Sequence, residues 1–425
     1  MSELNRAVAP PISTIESVSL PEIEQITLDN GIKVWAIPDQ NSDVVKLELV
    51  FKAGKWHEPK NLIADLTSRM FREGTKSKTG KELADFFDFY GSNFNTSAGS
   101  EIASVSIYCL SKFLSVQMPV LFEVVTQSIF PDNELSTIVT NRKQRLAVEL
   151  EKNDFLSNRE FVQALWGANH PFGRITQMHD FDKITSSDLK QFASAFYHSA
   201  NCFVLLAGNY NQNVLSQINQ IFGQHNWQGS PAPKLNFEVA AKTEKTMYIE
   251  KADSVQSAIQ VGNITLPKKH PDFIQFTVAN TIFGGYFGSR LMSNIREEKG
   301  FTYGIHSSII SFPSGSYLDI SSEVGKEVRQ ATFDEIEKEI KLMRTELVDE
   351  EELETVKNYM SGKILRGVDG AIRFSETLKS LLLHEQEPTY IHHLLKNVRQ
   401  TTAEDILRVS NQYLNFDEMY KISVG

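Results

Sequence analysis

Residues 184–208, ITSSDLKQFASAFYHSANCFVLLAG, and residues 401–425, TTAEDILRVSNQYLNFDEMYKISVG, follow one pattern. The offset from Gly208 to Gly425 is 217 residues, and it holds without a gap. Thr185 falls on Thr402, Asp188 on Asp405, Leu189 on Ile406 and Phe196 on Tyr413. In each copy a threonine precedes a helical apolar pattern and an acid follows three residues on, which is the arrangement of a capping box. Each helix then gives way to a short apolar strand. The pairing predicts an internal duplication.

Earlier elements recur in the same order. Asp29-Asn30-Gly31 marks a hairpin turn between Gln25 and Asp39. Val45, Leu47, Leu49 and Phe51 alternate on one face of a strand over 44–51. Helical patterns follow over 62–72 and 81–90, with Gly91 placed to stop the second, then a strand over 102–110 and helices over 116–127 and 134–150. After residue 245 the series restarts: strands over 246–250 and 257–264, helices over 272–283 and 289–298, strands over 301–310 and 317–322, and helices over 330–344 and 352–365. Pro231, Pro233 and Gly229 interrupt 225–245, which reads as a linker. The expectation is an α+β chain of two similar units, 18–224 and 246–425.

Composition narrows the function. The chain of 425 residues carries 43 basic and 53 acidic residues, a formal net charge of −10, which opposes a sequence-independent grip on nucleic acid. No apolar run is long enough for a membrane-spanning helix. Residues 1–20 show no basic start followed by an apolar core, so no secretory signal is expected, and the compartment stays open between cytoplasm and periplasm. Cys109 and Cys202 sit in strand patterns, where packing is the expected role.

Among the ten histidines no two stand at i,i+4, so no helix offers the imidazole pair of a local zinc site, and the adjacent His392 and His393 read as a solvated helix face. There is no G-x-S-x-G elbow. Phe283-GGYFGS-Arg290 is glycine-rich but lacks the lysine and the spacing of a phosphate loop.

That segment runs into Leu291-MSNIREEKG-Phe301 and Thr302-YGIHSS. The whole stretch resembles the second-domain signature of the pitrilysin/insulinase-type zinc peptidases, the inverzincins, which include the mitochondrial processing peptidase. Gly284, Gly285, Ser289, Arg290, Leu291, Ile295, Arg296, Glu297, Gly300, Phe301 and Tyr303 carry the match. Residues 28–39, 51–54, 74–75, 83–97, 170–174 and 201–208 are similar to further landmarks of that family. The resemblance implies two duplicated domains, each a mostly antiparallel sheet covered by helices.

Where the family has H-x-x-E-H, this chain has Asp65-Leu66-Thr67-Ser68-Arg69. Asp65 replaces the first histidine, Ser68 the catalytic glutamate and Arg69 the second histidine. A guanidinium repels zinc, and a serine cannot take the proton from metal-bound water. The distal glutamate ligand would correspond to Glu149 or Glu151. The resemblance therefore implies a chain that binds no zinc of its own and is inactive alone. In two-chain members one subunit holds zinc and the other presents an Arg/Tyr pair. By that likeness Arg296 and Tyr303, with Gly284, Gly285 and Ser289, would face a peptide held by a related zinc-bearing partner. A scaffold role, or a peptidase with unorthodox ligands, are the alternatives.

Taken singly, these residues also have plain structural roles. Arg296 would complement a helix dipole, Tyr303 could alternate with Phe301 and Ile305 into the core, and Gly284 and Gly285 could form a loose turn. Asp65 and Arg69 would make an i,i+4 ion pair.

Overall fold

Asp29-Asn30-Gly31 folds strand β1 (Glu24–Thr27) back on β2 (Lys33–Pro38), with Gly31 at a φ of 91° that a side chain would strain. The structure, a computed structural model, describes residues 14–425; most of the segment read for a secretory signal lies outside the described residues. The first half continues with β3 (Val44–Phe51), α1 (Ile63–Met70), α2 (Gly80–Phe89), β4 (Asn93–Ala98), β5 (Ala103–Leu110), α3 (Leu114–Gln127), α4 (Asp132–Glu149), α5 (Asn153–Trp166), α6 (Ser186–Phe196), β6 (Cys202–Gly208) and α7 (Gln212–Phe222). Its strands form one sheet in the order β1-β2-β6-β3-β5-β4, antiparallel except for β2 beside β6.

The second half holds β7 (Thr246–Ile249), β8 (Gln256–Thr265), α8 (Phe273–Asn280), β9 (Thr302–Phe312), β10 (Gly315–Gly325), α9 (Arg329–Thr345), α10 (Glu350–Gly367), α11 (Ala371–Leu383), α12 (Tyr390–Gln400), α13 (Ala403–Tyr413) and β11 (Tyr420–Val424). The sheet order is β7-β11-β8-β10-β9, with β7 and β11 the parallel pair. This is the first sheet without β1, so the topology repeats as the sequence pairing predicts. The matched helices α6 and α13 both begin in a capping box. Thr185 Oγ1 accepts from the Asp188 N–H at 3.2 Å, and Thr402 Oγ1 accepts from the Asp405 N–H at 3.2 Å.

The alternation on β3 is observed. Val45, Leu47, Leu49 and Phe51 enter the first core with residues of α1 and α3. The opposite face is covered from the other half of the chain. Phe374, Leu378 and Leu381 of α11 pack on Val50, Leu205 and Ala207 of the first sheet. Above them, Glu48 of β3 is buried between Lys46, at 2.7 Å, and Lys379 of α11, at 2.8 Å. In return Phe161 and Leu165 of α5 pack with Tyr420 and Ile422 of the second sheet. The two halves thus exchange equivalent helices.

One helix expectation needs correction, and two other stretches add detail that the sequence reading did not give. Residues 93–98 form an edge strand, since their polar alternation suits a strand with one wet face. The helix expected over 272–283 ends at Asn280 and widens into a π turn over Thr281–Gly285, and Met292–Glu298 is likewise π-helical. The stretch 225–245 starts with a 3₁₀ turn whose Trp227 is buried. Later, the N–H groups of Ala240 and Lys242 bond the carbonyls of Trp166 and Ala164 at 3.2 and 2.9 Å, strapping the segment to the end of α5.

Candidate functional site

Helix α1 carries Asp65, Ser68 and Arg69 where a zinc motif was expected to be degenerate. The Arg69 Nε donates to both Asp65 oxygens, at 3.0 and 3.1 Å, and Arg142 from α4 reaches Asp65 Oδ2 at 3.2 Å. The one carboxylate is therefore already matched by two guanidinium groups, and Ser68 is buried. Glu149 accepts from Arg145 at 2.9 Å, while Glu151 is largely exposed with Lys251 at 3.9 Å. Among the described residues no three His, Cys, Asp or Glu side chains converge as a metal cluster. The donor set does not fit zinc. Cys109 is buried, and burial pushes its thiol up to about 11; burial raises Cys202 as well, so neither is poised as a nucleophile.

Tyr303 does not alternate into the core. Ile305 pairs with Ser322, but Thr302 pairs with Val324, so Tyr303 and Gly304 together stand opposite Glu323. This is a β-bulge, which re-aims a side chain by adding a residue to one strand. The Thr302 hydroxyl locks it, donating to the Glu323 carbonyl at 2.7 Å and accepting from the Gly304 N–H at 3.1 Å. Ile305 remains in the core while Tyr303 is 93% exposed, on the strand that forms the sheet edge. Arg296 lies in the second π turn, where the Lys299 N–H reaches back five residues to the Asn294 carbonyl at 2.9 Å. Its guanidinium sits 4.7 Å from the ring of Phe287, itself 65% exposed. Gly300, at a φ of 67°, makes the turn from this segment toward β9.

The rest of the signature supports this edge from inside. Gly284 is buried where a Cβ would come within 2.6 Å of the Ser307 side chain. Ser289 is fully buried, its N–H bonding the Tyr286 carbonyl at 3.1 Å. Both were expected at a substrate surface. Their burial makes them packing residues, and of the glycine pair only Gly285 is exposed.

Behind the bulge a cleft of about 560 Å³ opens between the second sheet and the junction of α4 and α5. Asp319 of β10 lines it with no hydrogen-bond partner for Oδ1, and burial pushes its carboxyl up to about 7. Glu149, Lys152 and Asp154 face it from the first half, His306 and Glu323 from the second. Sequence reasoning missed Asp319, because a single acid in an alternating strand reads as solvent-facing.

The unfolded chain releases this proton near pH 4, the folded chain near 7. The contribution of Asp319 to the unfolding free energy therefore falls as pH rises through that window and is flat above it. Asp319→Asn is expected to remove that fall. Its advantage over wild type, measured by thermal unfolding at pH 5 and pH 8, should grow to on the order of 2 kcal/mol at the higher pH. Identical pH dependence in the two proteins would mean that the carboxylate is solvated.

With this geometry in hand, comparison with known proteins gives consistent matches. Residues 33–171 match the family described as insulinase (peptidase family M16), and residues 183–360 match the peptidase M16 inactive domain. The uncharacterized zinc protease YmxG of Bacillus subtilis is 22% identical over 409 residues, covering 95% of this chain and 98% of that protein. The non-peptidase homolog YmxG of Helicobacter pylori is 25% identical, covering 91% of this chain and 88% of that one. Among solved structures, a peptidase M16 inactive domain from Pseudomonas fluorescens superimposes with a TM-score of 0.86 at 22% identity, covering 95% and 98% of the two chains. A protease from Helicobacter pylori gives 0.85 at 18% identity, covering 96% and 100%.

Proposed function

The chain belongs to peptidase family M16, and from that membership we propose that it is the non-catalytic, peptide-binding subunit of a two-chain zinc peptidase. The partner supplies a metal-bearing H-x-x-E-H helix, and this chain supplies Arg296 and Tyr303. The observation that carries the reading is Tyr303 itself, thrown outward by a bulge that its own neighbours hold in place. A tyrosine kept for packing would lie with Ile305. An aromatic ring set in solvent beside the exposed Phe287 suits contact with another molecule.

Arg296 and Tyr303 are both hydrogen-bond donors. Placed beside a peptide carbonyl they would stabilise the negative charge that its oxygen gains as the bond is attacked. The peptide itself would lie as an added strand, and β9 offers a free sheet edge for it. The ion-paired Asp65 supports a chain that contributes no metal and no general base.

Two measurements test this. The purified chain, incubated with zinc and desalted, is expected to retain well below one equivalent and to leave peptides intact. Mixed with a family member that has the complete zinc motif, it should form a complex that cleaves them. Stoichiometric zinc with cleavage by the isolated chain would replace this reading by a peptidase with unorthodox ligands.

A further inference from the structure

Beside the degenerate helix lies a second pocket of about 280 Å³, lined by four cations: Lys55, Arg142, Arg159 and Arg174. The carboxylates around it are already engaged. Glu58 accepts from Arg174 at 3.0 Å and from the Ala64 N–H at 3.0 Å. Asp65 is held by Arg69 and Arg142, and Glu149 by Arg145. Lys55 and Arg159 are left over. Among the described residues neither forms an ion pair; Lys55 Nζ reaches only the Arg174 carbonyl, at 3.4 Å, and Arg159 Nη1 the Thr176 carbonyl, at 2.8 Å. Glu58 and Glu160 act on Lys55 and Arg159 only from a distance, so each is a half-buried cation without a direct ionic partner, and an anionic ligand would supply one.

Beside Glu149, Asn158 and Thr176, part of the remaining wall is apolar, formed by Leu146, Phe155, Val162 and Phe172. A bare inorganic anion would leave that wall uncovered. Glu149, Phe155 and Asn158 also line the larger cleft that contains Asp319 and Glu323, so the two spaces adjoin along these side chains. The combined cleft is cationic at one end and mainly acidic at the other. It runs from the first half to the bulge that carries Tyr303, since Gly304 lines its far side.

We propose that this cleft captures the free C-terminus of a peptide: the α-carboxylate between Lys55 and Arg159, the last apolar side chain against Phe155 and Phe172, and the preceding residues in the acidic cleft. The inference rests on the reading above only for the class of ligand, peptides, and is tested without any partner.

The probes are a tetrapeptide with a basic first residue and a C-terminal leucine, as the free acid and as the carboxamide, titrated calorimetrically into the full chain. The free acid is expected to bind roughly ten- to a hundredfold more tightly, the range for losing a charged hydrogen bond. Lys55→Met and, separately, Arg159→Gln should each shrink that preference while leaving the melting temperature within a few degrees of wild type. Val162→Trp, which fills the apolar part, should weaken both peptides. Equal affinity for acid and amide, absence of binding by either, or a preference undiminished in both folded cation variants would overturn the proposal. Failure here with intact partner-dependent cleavage would leave the subunit reading standing. A clear acid preference in a chain that activates no zinc-bearing partner would do the reverse.

Discussion

In the complex with a zinc-bearing partner, Arg296→Ala and Tyr303→Phe are each expected to lower the turnover of peptide by about 10²–10³, the range for removing one donor from a developing oxyanion. The argument is geometric. Tyr303 is 93% exposed and the Arg296 guanidinium lies over an exposed ring, so neither substitution removes a core contact. Stability of the isolated chain should therefore stay within about 0.5 kcal/mol of wild type, as for other surface changes. The loss should appear in kcat at saturating peptide, because a donor that strengthens only as charge develops adds little to ground-state binding. Single-turnover cleavage with the wild-type and variant chains at equal complex concentration separates the two effects. If both variants cleave like wild type, the pair serves only the shape of the edge.

The second large effect concerns stability. Phe374→Ala is expected to cost about 3–5 kcal/mol, the range for a large aromatic removed from a core that cannot collapse around the gap. Phe374 is fully buried between α11 and the first sheet, although it belongs to the second half of the chain. Phe161, fully buried on α5 against the second sheet, should behave alike. Because each side chain fills the other half's core, either substitution should lower one shared calorimetric transition. Two separated transitions, with only one of them shifted, would show that the halves unfold independently.

How much of this was legible in the chain differs from one residue to the next. The capping threonines Thr185 and Thr402, the turn at Asn30-Gly31 and the apolar face of β3 are local signals, and the structure contains each of them. On α11, Phe374, Leu378 and Leu381 recur at helical spacing, but nothing local says that the sheet beneath them lies in the other half. Tyr303 shows the opposite failure. Strict alternation sends it inward, and the signal that it turns out is the glycine that follows it, since a glycine inside a strand often marks a bulge. The degenerate zinc motif was legible because three chemically unsuited residues replace a fixed pattern. The cationic pocket was not. Lys55 and Arg174 come together from distant turns, and only the fold sets them beside Arg142 and Arg159.

The exchange of α5 and α11 also bears on how the chain can be divided. Residues 228–245 contain no helix or strand and are mostly exposed, so a protease would find its easiest cut there. Such a cut should not release two free units, since each fragment keeps a helix that its counterpart needs as a lid. The nicked protein should migrate as one species in native conditions, and separately produced fragments should recognise each other in the manner of a split reporter. The same interlock makes this connection a poor hinge between the two halves.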